Sequence, residues 1–162
     1  MLAPMIQQNQ VIPHLSAKIS TLWPNATLAA ATHLSDGPLI LVAEDDAIMR
    51  RLLTLILERD HFRVVAVTNG AEAVAIFAHY EFDLVLMDIM MPIMDGFNAC
   101  ASIRRASSVP IVLISAFSSI EVKAKAKRSG ASHFLNKPCH PKELKKQLYS
   151  WLPKAAQHCE ES

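Results

Sequence analysis

Glycine is scarce, four residues in 162, and no glycine-rich stretch is available to wrap a nucleotide as a kinase does. Cysteine is also scarce. Cys100, Cys139 and Cys159 are odd in number and scattered, so neither a disulfide framework nor a zinc spacing follows, and a reducing, cytoplasmic setting is expected. Cys139-His140 has nothing elsewhere to complete a metal site. No apolar run reaches the roughly eighteen residues of a membrane span. No Lys or Arg precedes Lys18 and polar residues from Gln7 to Gln10 interrupt the start, so no signal peptide is expected. Asn25-Ala26-Thr27 matches a glycosylation sequon, without meaning in that compartment. The formal net charge is only +1, which argues against bulk electrostatic binding of nucleic acid. After Trp151 about ten residues remain, and no helix-turn-helix or other output module is expected among them. What the chain does have is 51% hydrophobic and 19% charged residues, enough for one well-packed domain.

Residues 1–37 form a low-charge arm or linker, with Lys18 and Asp36 as its charges and Pro4, Pro13 and Pro24 interrupting it. Leu15 to Leu22 and Ala26 to Leu34 are expected to be helical if structured. Asp36-Gly37-Pro38 is a turn and sets the domain boundary. A domain over 38–152 follows, then a tail over 153–162. Within the domain, apolar strands alternate with helices. Leu39 to Ala43 ends in Glu44-Asp45-Asp46, and Ile48, Leu52 and Ile56 follow at helical spacing, beside Met49, Leu53 and Leu57. Phe62 to Val67 is a second strand. Asn69 and Glu72 read as a capping box for a helix carrying Val74, Ile76 and Phe77. Leu84 to Met87 is a third strand, Phe97 to Arg105 a short helix, and Ile111 to Ile114 a fourth strand. Ser118 and Glu121 read as a second capping box. Phe134 to Asn136 is a weaker, edge strand, and Pro141 opens a last helix with Leu144, Leu148, Trp151 and Leu152 on one stripe. This alternation predicts an α/β fold: a doubly wound, five-stranded parallel sheet with helices on both faces.

The third strand is the one to build on. It is apolar throughout, as in a parallel sheet buried on both faces, and it ends in a carboxylate, Asp88, with Pro92 and the turn pair Asp95-Gly96 just beyond. The carboxyl edge of such a sheet is where ligands bind. Glu44 and Asp45 end the first strand, Ser115 the fourth and Lys137 the fifth. With the first and third strands adjacent, three carboxylates converge and raise one another's pKa. A hard divalent cation such as Mg²⁺ relieves that crowding and leaves room for a phosphoryl group. Lys137 then neutralises a phosphate oxygen, Ser115 donates a hydrogen bond, and Asp88 is the nucleophilic carboxylate. Each residue alone has an ordinary role: helix-start acid, loop hydroxyl, surface cation. Their joint placement at strand ends carries the reading.

Leu-Val-Ala-Glu44-Asp45-Asp46, Asp83-Leu-Val-Leu-Met-Asp88-Ile-Met-Met-Pro92-Ile-Met-Asp95-Gly96, Ile114-Ser115-Ala116, Gly130-Ala131 and Lys137-Pro138 together resemble the receiver domain of two-component response regulators, the stand-alone chemotaxis type included. The resemblance covers about seven tenths of the chain. It implies the flavodoxin-like strand order 2-1-3-4-5 and phosphorylation of Asp88 by a histidine kinase or histidine phosphotransfer protein. It also implies Mg²⁺ held by Asp45, Asp88 and the Met90 carbonyl, with Glu44 acting at least through water. Ser115 and Lys137 read the phosphoryl oxygens, Phe134 is the aromatic switch partner of Ser115, and Lys137-Pro138 is cis. Glu44, Ser115 and Phe134 stand where Asp, Thr and Tyr are common. The domain is then no enzyme beyond its own phosphorylation and dephosphorylation. Two other readings remain: the carboxy-terminal receiver of a hybrid histidine kinase, with 1–37 as linker, and a flavin-binding module of the same fold. The last lacks the Ser, Thr and Gly expected after the first strand.

Met90 and Phe117, two residues beyond Asp88 and Ser115, are apolar and offer an attacking water no polar atom, so a long-lived phosphorylated form is expected. Eight of the 16 Lys and Arg fall between Glu121 and Lys146, which makes the last two helices a docking face for an acidic output partner. No nucleic-acid recognition module accompanies the cluster, and a phosphorylation-dependent dimer is compatible with the resemblance.

Overall fold

The computed structural model describes residues 27–28 and 37–152. In chain order these form β1 (Thr27–Leu28), β2 (Leu39–Ala43), α1 (Ala47–Arg59), β3 (Arg63–Val67), α2 (Gly70–Phe77), β4 (Leu84–Asp88), α3 (Gly96–Arg104), β5 (Ile111–Ser115), α4 (Ile120–Arg128), β6 (His133–Asn136) and α5 (Pro141–Trp151). The sheet order is β1-β3-β2-β4-β5-β6. All neighbours are parallel except β1 on β3. The five parallel strands, counted among themselves, therefore run 2-1-3-4-5, as expected. The sheet gains a sixth member that hydrophobic patterning does not reveal. Thr27 and Leu28 pair antiparallel with Ala66 and Val65, so these two residues extend the sheet rather than begin a helix over 26–34. The rest of that helix, and the one over 15–22, lie outside the described residues, as does Pro153.

Each parallel strand splits its side chains between two cores, because successive residues point to opposite faces. Leu39, Leu41, Val65, Val85, Met87, Ile111 and Leu113 face α2, α3 and α4 through Ala73, Ile76, Ala99, Cys100, Ile103 and Ala126. Ile40, Val42, Val64, Leu84, Leu86, Val112 and Ile114 face α1 and α5 through Leu53, Leu57, Leu144 and Leu148. Burial on both sides is why the strands read as unbroken apolar runs.

Two expectations for the helices shift by a residue. In α1 the buried line is Leu53 and Leu57, with Thr54; Ile48 and Leu52 are exposed. Asp46 caps this helix, its carboxylate accepting from the amides of Ile48 and Met49, and that cap sets a rotation that spacing alone leaves open. At its far end His61, at φ 62°, and Phe62 donate to the carbonyls of Glu58 and Leu57, a Schellman closure built without glycine. In α4 the cap is Ser119, accepting from the Val122 amide, and not Ser118. The Asn69 cap holds: it accepts from the Glu72 amide, while the Glu72 carboxylate reaches back to Thr68.

Candidate functional site

Glu44, Asp45 and Asp46 stand in sequence but do three different things. Glu44 is buried, Asp45 is exposed, and Asp46 is committed to the α1 cap. The turn carrying them is clamped from α1, where an Arg50 guanidinium nitrogen donates to the carbonyls of Glu44 and Asp45 at 2.8 and 3.0 Å. On the other side, the Glu44 amide donates to the Val67 carbonyl. Nothing in the sequence pattern singles out Arg50 for this role.

Pairing of β2 with β4 brings Asp88 beside this turn. One oxygen from each of Glu44, Asp45 and Asp88 falls in a group within 4.8 Å, although Glu44 and Asp88 are 44 residues apart. Lys137, at the end of the edge strand β6, reaches across the top of β5 to both buried acids. Its Nζ lies 2.8 Å from Glu44 Oε2 and 3.1 Å from Asp88 Oδ2. Burial pushes the Glu44 carboxyl above its usual range; the Lys137 hydrogen bond works against that rise, and the charge of Asp88 adds to it. Burial opposes the Lys137 ammonium, but hydrogen bonds and charges from Glu44 and then Asp88 outweigh it and raise its pKa. The lysine is therefore a firmly charged bridge.

Ser115 is buried at the end of β5, and its carbonyl accepts from the Lys137 amide at 2.8 Å. Its Oγ accepts from the Phe117 amide at 3.0 Å; a hydroxyl so engaged keeps its own proton to donate. The Lys137-Pro138 bond is cis, as the resemblance implied. Phe134, earlier on β6, is half-buried against the α2–α4 core, with Lys123 Nζ 5.9 Å from its ring centre. Met90 and Phe117 are both 63% exposed; they rim the mouth rather than fill it.

The loop after Asp88 folds back tightly. The Gly96 amide donates to the Ile89 carbonyl, and a Cβ at Gly96 would stand 2.3 Å from the Asp88 carbonyl oxygen, so only glycine fits. Asp95 caps α3 through the Asn98 amide. Ile93 adopts φ 69°, rare for a β-branched residue.

Among the described residues this is the one acidic group close enough to hold an ion, and Cys139-His140 joins none; the Cys139 thiol donates to the Asn136 carbonyl. Three carboxylates facing a single ammonium leave a negative excess of hard oxygen donors, which fits Mg²⁺.

The fold is an open α/β sheet with a lysine-bridged acidic cluster at its carboxyl edge. The sequence places it more closely: residues 40–149 match the response regulator receiver domain family, and the chain belongs to that family. A probable transcriptional regulator ycf27 of Porphyridium aerugineum is 36% identical over 113 residues, 70% of this chain and 47% of the relative. The transcriptional regulatory protein ResD of Bacillus subtilis is 34% identical over 118 residues, 73% of this chain and 49% of the relative. The chain thus spans about half the length of these relatives. In structure it resembles the Vibrio cholerae chemotaxis protein CheY4, with TM-score 0.69 and 29% identity over 72% of this chain and 99% of that one. It also resembles a receiver domain of a Pseudomonas aeruginosa sensor histidine kinase that has a magnesium ion in its active site cleft. There the TM-score is 0.67 and the identity 29%, over 71% and 97% of the two chains. No helix among the described residues is long and apolar enough to cross a membrane.

Proposed function

We propose that Asp88 accepts a phosphoryl group from a phosphohistidine, with Mg²⁺ held by Asp45, Asp88 and the Met90 carbonyl and with Glu44 acting at least through water. The observation that carries this reading is the Lys137 bridge between Glu44 and Asp88 with Asp45 alongside. An Asp88 carboxylate oxygen forms the new O–P bond as the P–N bond of the donor breaks, and the imidazole leaves. A bound divalent cation supplies positive charge to the transferring oxygens. Lys137 exchanges its Asp88 carboxylate for a phosphoryl oxygen, keeping Glu44, and the Ser115 hydroxyl turns its proton toward another oxygen. Phe134 then moves into the space that Ser115 vacates. Met90 and Phe117 activate no water, so the phosphorylated form is long-lived.

A small acyl-phosphate donor with Mg²⁺ should give one acid-labile, hydroxylamine-sensitive modification that persists well beyond seconds. Asp88→Asn should abolish it; equal labelling of that variant at another residue would overturn the assignment.

Signalling proceeds by protein contact on α4, β6 and α5, with an acidic partner. The upstream donor is a histidine kinase or a phosphotransfer protein. A second reading, the carboxy-terminal receiver of a hybrid kinase, is compatible with the likeness to the Pseudomonas kinase receiver. Which phosphohistidine protein transfers to it fastest separates the two. Family membership sets aside the flavin-binding reading, and an absorbance spectrum of the purified protein without a flavin band is expected. The cytoplasm is the compartment where such donors and thiols coexist.

A further inference from the structure

Asp45 is held differently from the other two acids of the site. Glu44 and Asp88 are buried and share the Lys137 ammonium. Asp45 is exposed, and among the described residues its carboxylate has no hydrogen-bond or ion-pair partner. An aspartate side chain is short, so the reach of its oxygens is decided by where the backbone puts its Cα.

That backbone is the three-residue turn between β2 and α1. Its start is tied to β3 by the Glu44 amide on the Val67 carbonyl, at 3.1 Å, and its end is committed to the α1 cap. The middle is tied by one group. Arg50 Nη1 donates to the Glu44 and Asp45 carbonyls, at 2.8 and 3.0 Å. Arg50 is itself anchored in the first turn of α1. Its amide donates to the Asp46 carbonyl at 2.8 Å, and its carbonyl accepts from the buried Thr54 hydroxyl at 2.8 Å.

Two effects of Arg50 on a divalent cation oppose each other. Its charge repels the cation, but at a half-buried surface position solvent and salt screen that repulsion. Its two hydrogen bonds fix the peptide that carries Asp45, and Mg²⁺ tolerates little error, asking for near-octahedral oxygens at about 2.0–2.1 Å. Groups that orient a metal's ligands typically change its affinity roughly 10–100-fold. The geometric effect is the larger.

We infer that Arg50 is a positioning residue for Mg²⁺, acting through the Glu44 and Asp45 carbonyls to keep the Asp45 carboxylate beside Asp88. This rests on the reading that Asp45 and Asp88 hold the cation; it does not require that Asp88 be phosphorylated.

The test titrates the full chain with MgCl₂ in a calorimeter, with no phosphodonor present. Arg50→Met keeps the aliphatic stem and removes both donors; it should raise the Mg²⁺ dissociation constant roughly tenfold. Arg50→Lys, whose ammonium can donate to both carbonyls, should fall between that variant and the parent. Arg51→Met removes the same charge from the next, exposed position and should not weaken binding. Melting curves supply the second readout: the gap between parent and Arg50→Met should be small in EDTA and widen with Mg²⁺. A gap equal in both conditions, an unchanged or tighter constant in Arg50→Met, no recovery in Arg50→Lys, or an equal loss in Arg51→Met would each overturn the inference. A parent chain that binds Mg²⁺ while Asp88 resists labelling sinks the proposed phosphotransfer and leaves the role of Arg50 standing.

Discussion

A single ammonium, Lys137 Nζ, stands between two buried acids, Glu44 and Asp88. Glu44, Asp45, Asp88, Ser115 and Lys137 sit at strand ends, where a change from apolar run to polar residue is visible in one dimension. That Lys137 already bridges Glu44 and Asp88 is not visible, because it depends on how far β6 lies from β2 and β4. Arg50 is invisible too, being one of several basic residues on α1. Ile93 is a further case. Its positive φ belongs to a tight turn that the Met94 amide closes on the Pro92 carbonyl, and the sequence shows only Pro92 and Asp95-Gly96 around it. Since this turn, in which the Met94 amide donates to the Pro92 carbonyl at 2.7 Å across Ile93, is strained for an L residue and glycine takes a positive φ freely, Ile93→Gly should stabilise the domain. The side chain is 84% exposed, so little packing is lost. Urea unfolding should show a gain of roughly 1 kcal/mol, and a loss would mean that the isoleucine makes contacts the fold needs.

Helices and strands were legible by type, and their phases were fixed by groups outside the pattern. Serines at 118 and 119 are equivalent in sequence; only the Ser119 oxygen meets a free amide of α4. Ser119→Ala should therefore cost about 1 kcal/mol and Ser118→Ala almost nothing, as read by paired denaturation curves. The basic stretch also resolves into parts. Lys137 belongs to the site, Lys125 lies 4.3 Å from the Phe97 ring centre, and Lys145 is paired with Asp60. Lys123, 5.9 Å from the Phe134 ring centre, and Lys127, one turn further along α4, are the cations to test against an acidic partner. Reversing both to Glu should weaken binding of the phosphorylated protein to its output partner at least tenfold at low salt, with Asp88 labelling unchanged. Undiminished affinity would remove α4 from the interface; lost labelling would assign it to the phosphodonor. Lys145 is a poor choice for that experiment, because Glu there would face Asp60.

At the scale of the molecule, the strand order was implied by resemblance rather than by periodicity, which carries no information on which strands pair. The sixth strand escaped because two residues are too few to show an alternation. The last helix completes the fold by closing the α1 face, and it meets the edge strand through a stack of His133 on Trp151, ring centres 4.8 Å apart and 23° from parallel. Burial holds the His133 pKa below the ordinary histidine value. The stability this group contributes is complete above that value and declines as pH falls through the lowered one, because the unfolded chain takes up the proton first. An indole stacked on an imidazole is also an optical gauge: it dims when the imidazole gains a proton and changes again when the two rings part. In a Trp23→Phe background, Trp151 emission should fall on mild acidification, lose that pH response in His133→Phe, and follow global unfolding through its midpoint. Residue 133 adjoins Phe134, so the same colourless protein, with no dye attached, should report arrival of phosphate at Asp88 as a change in its own ultraviolet glow.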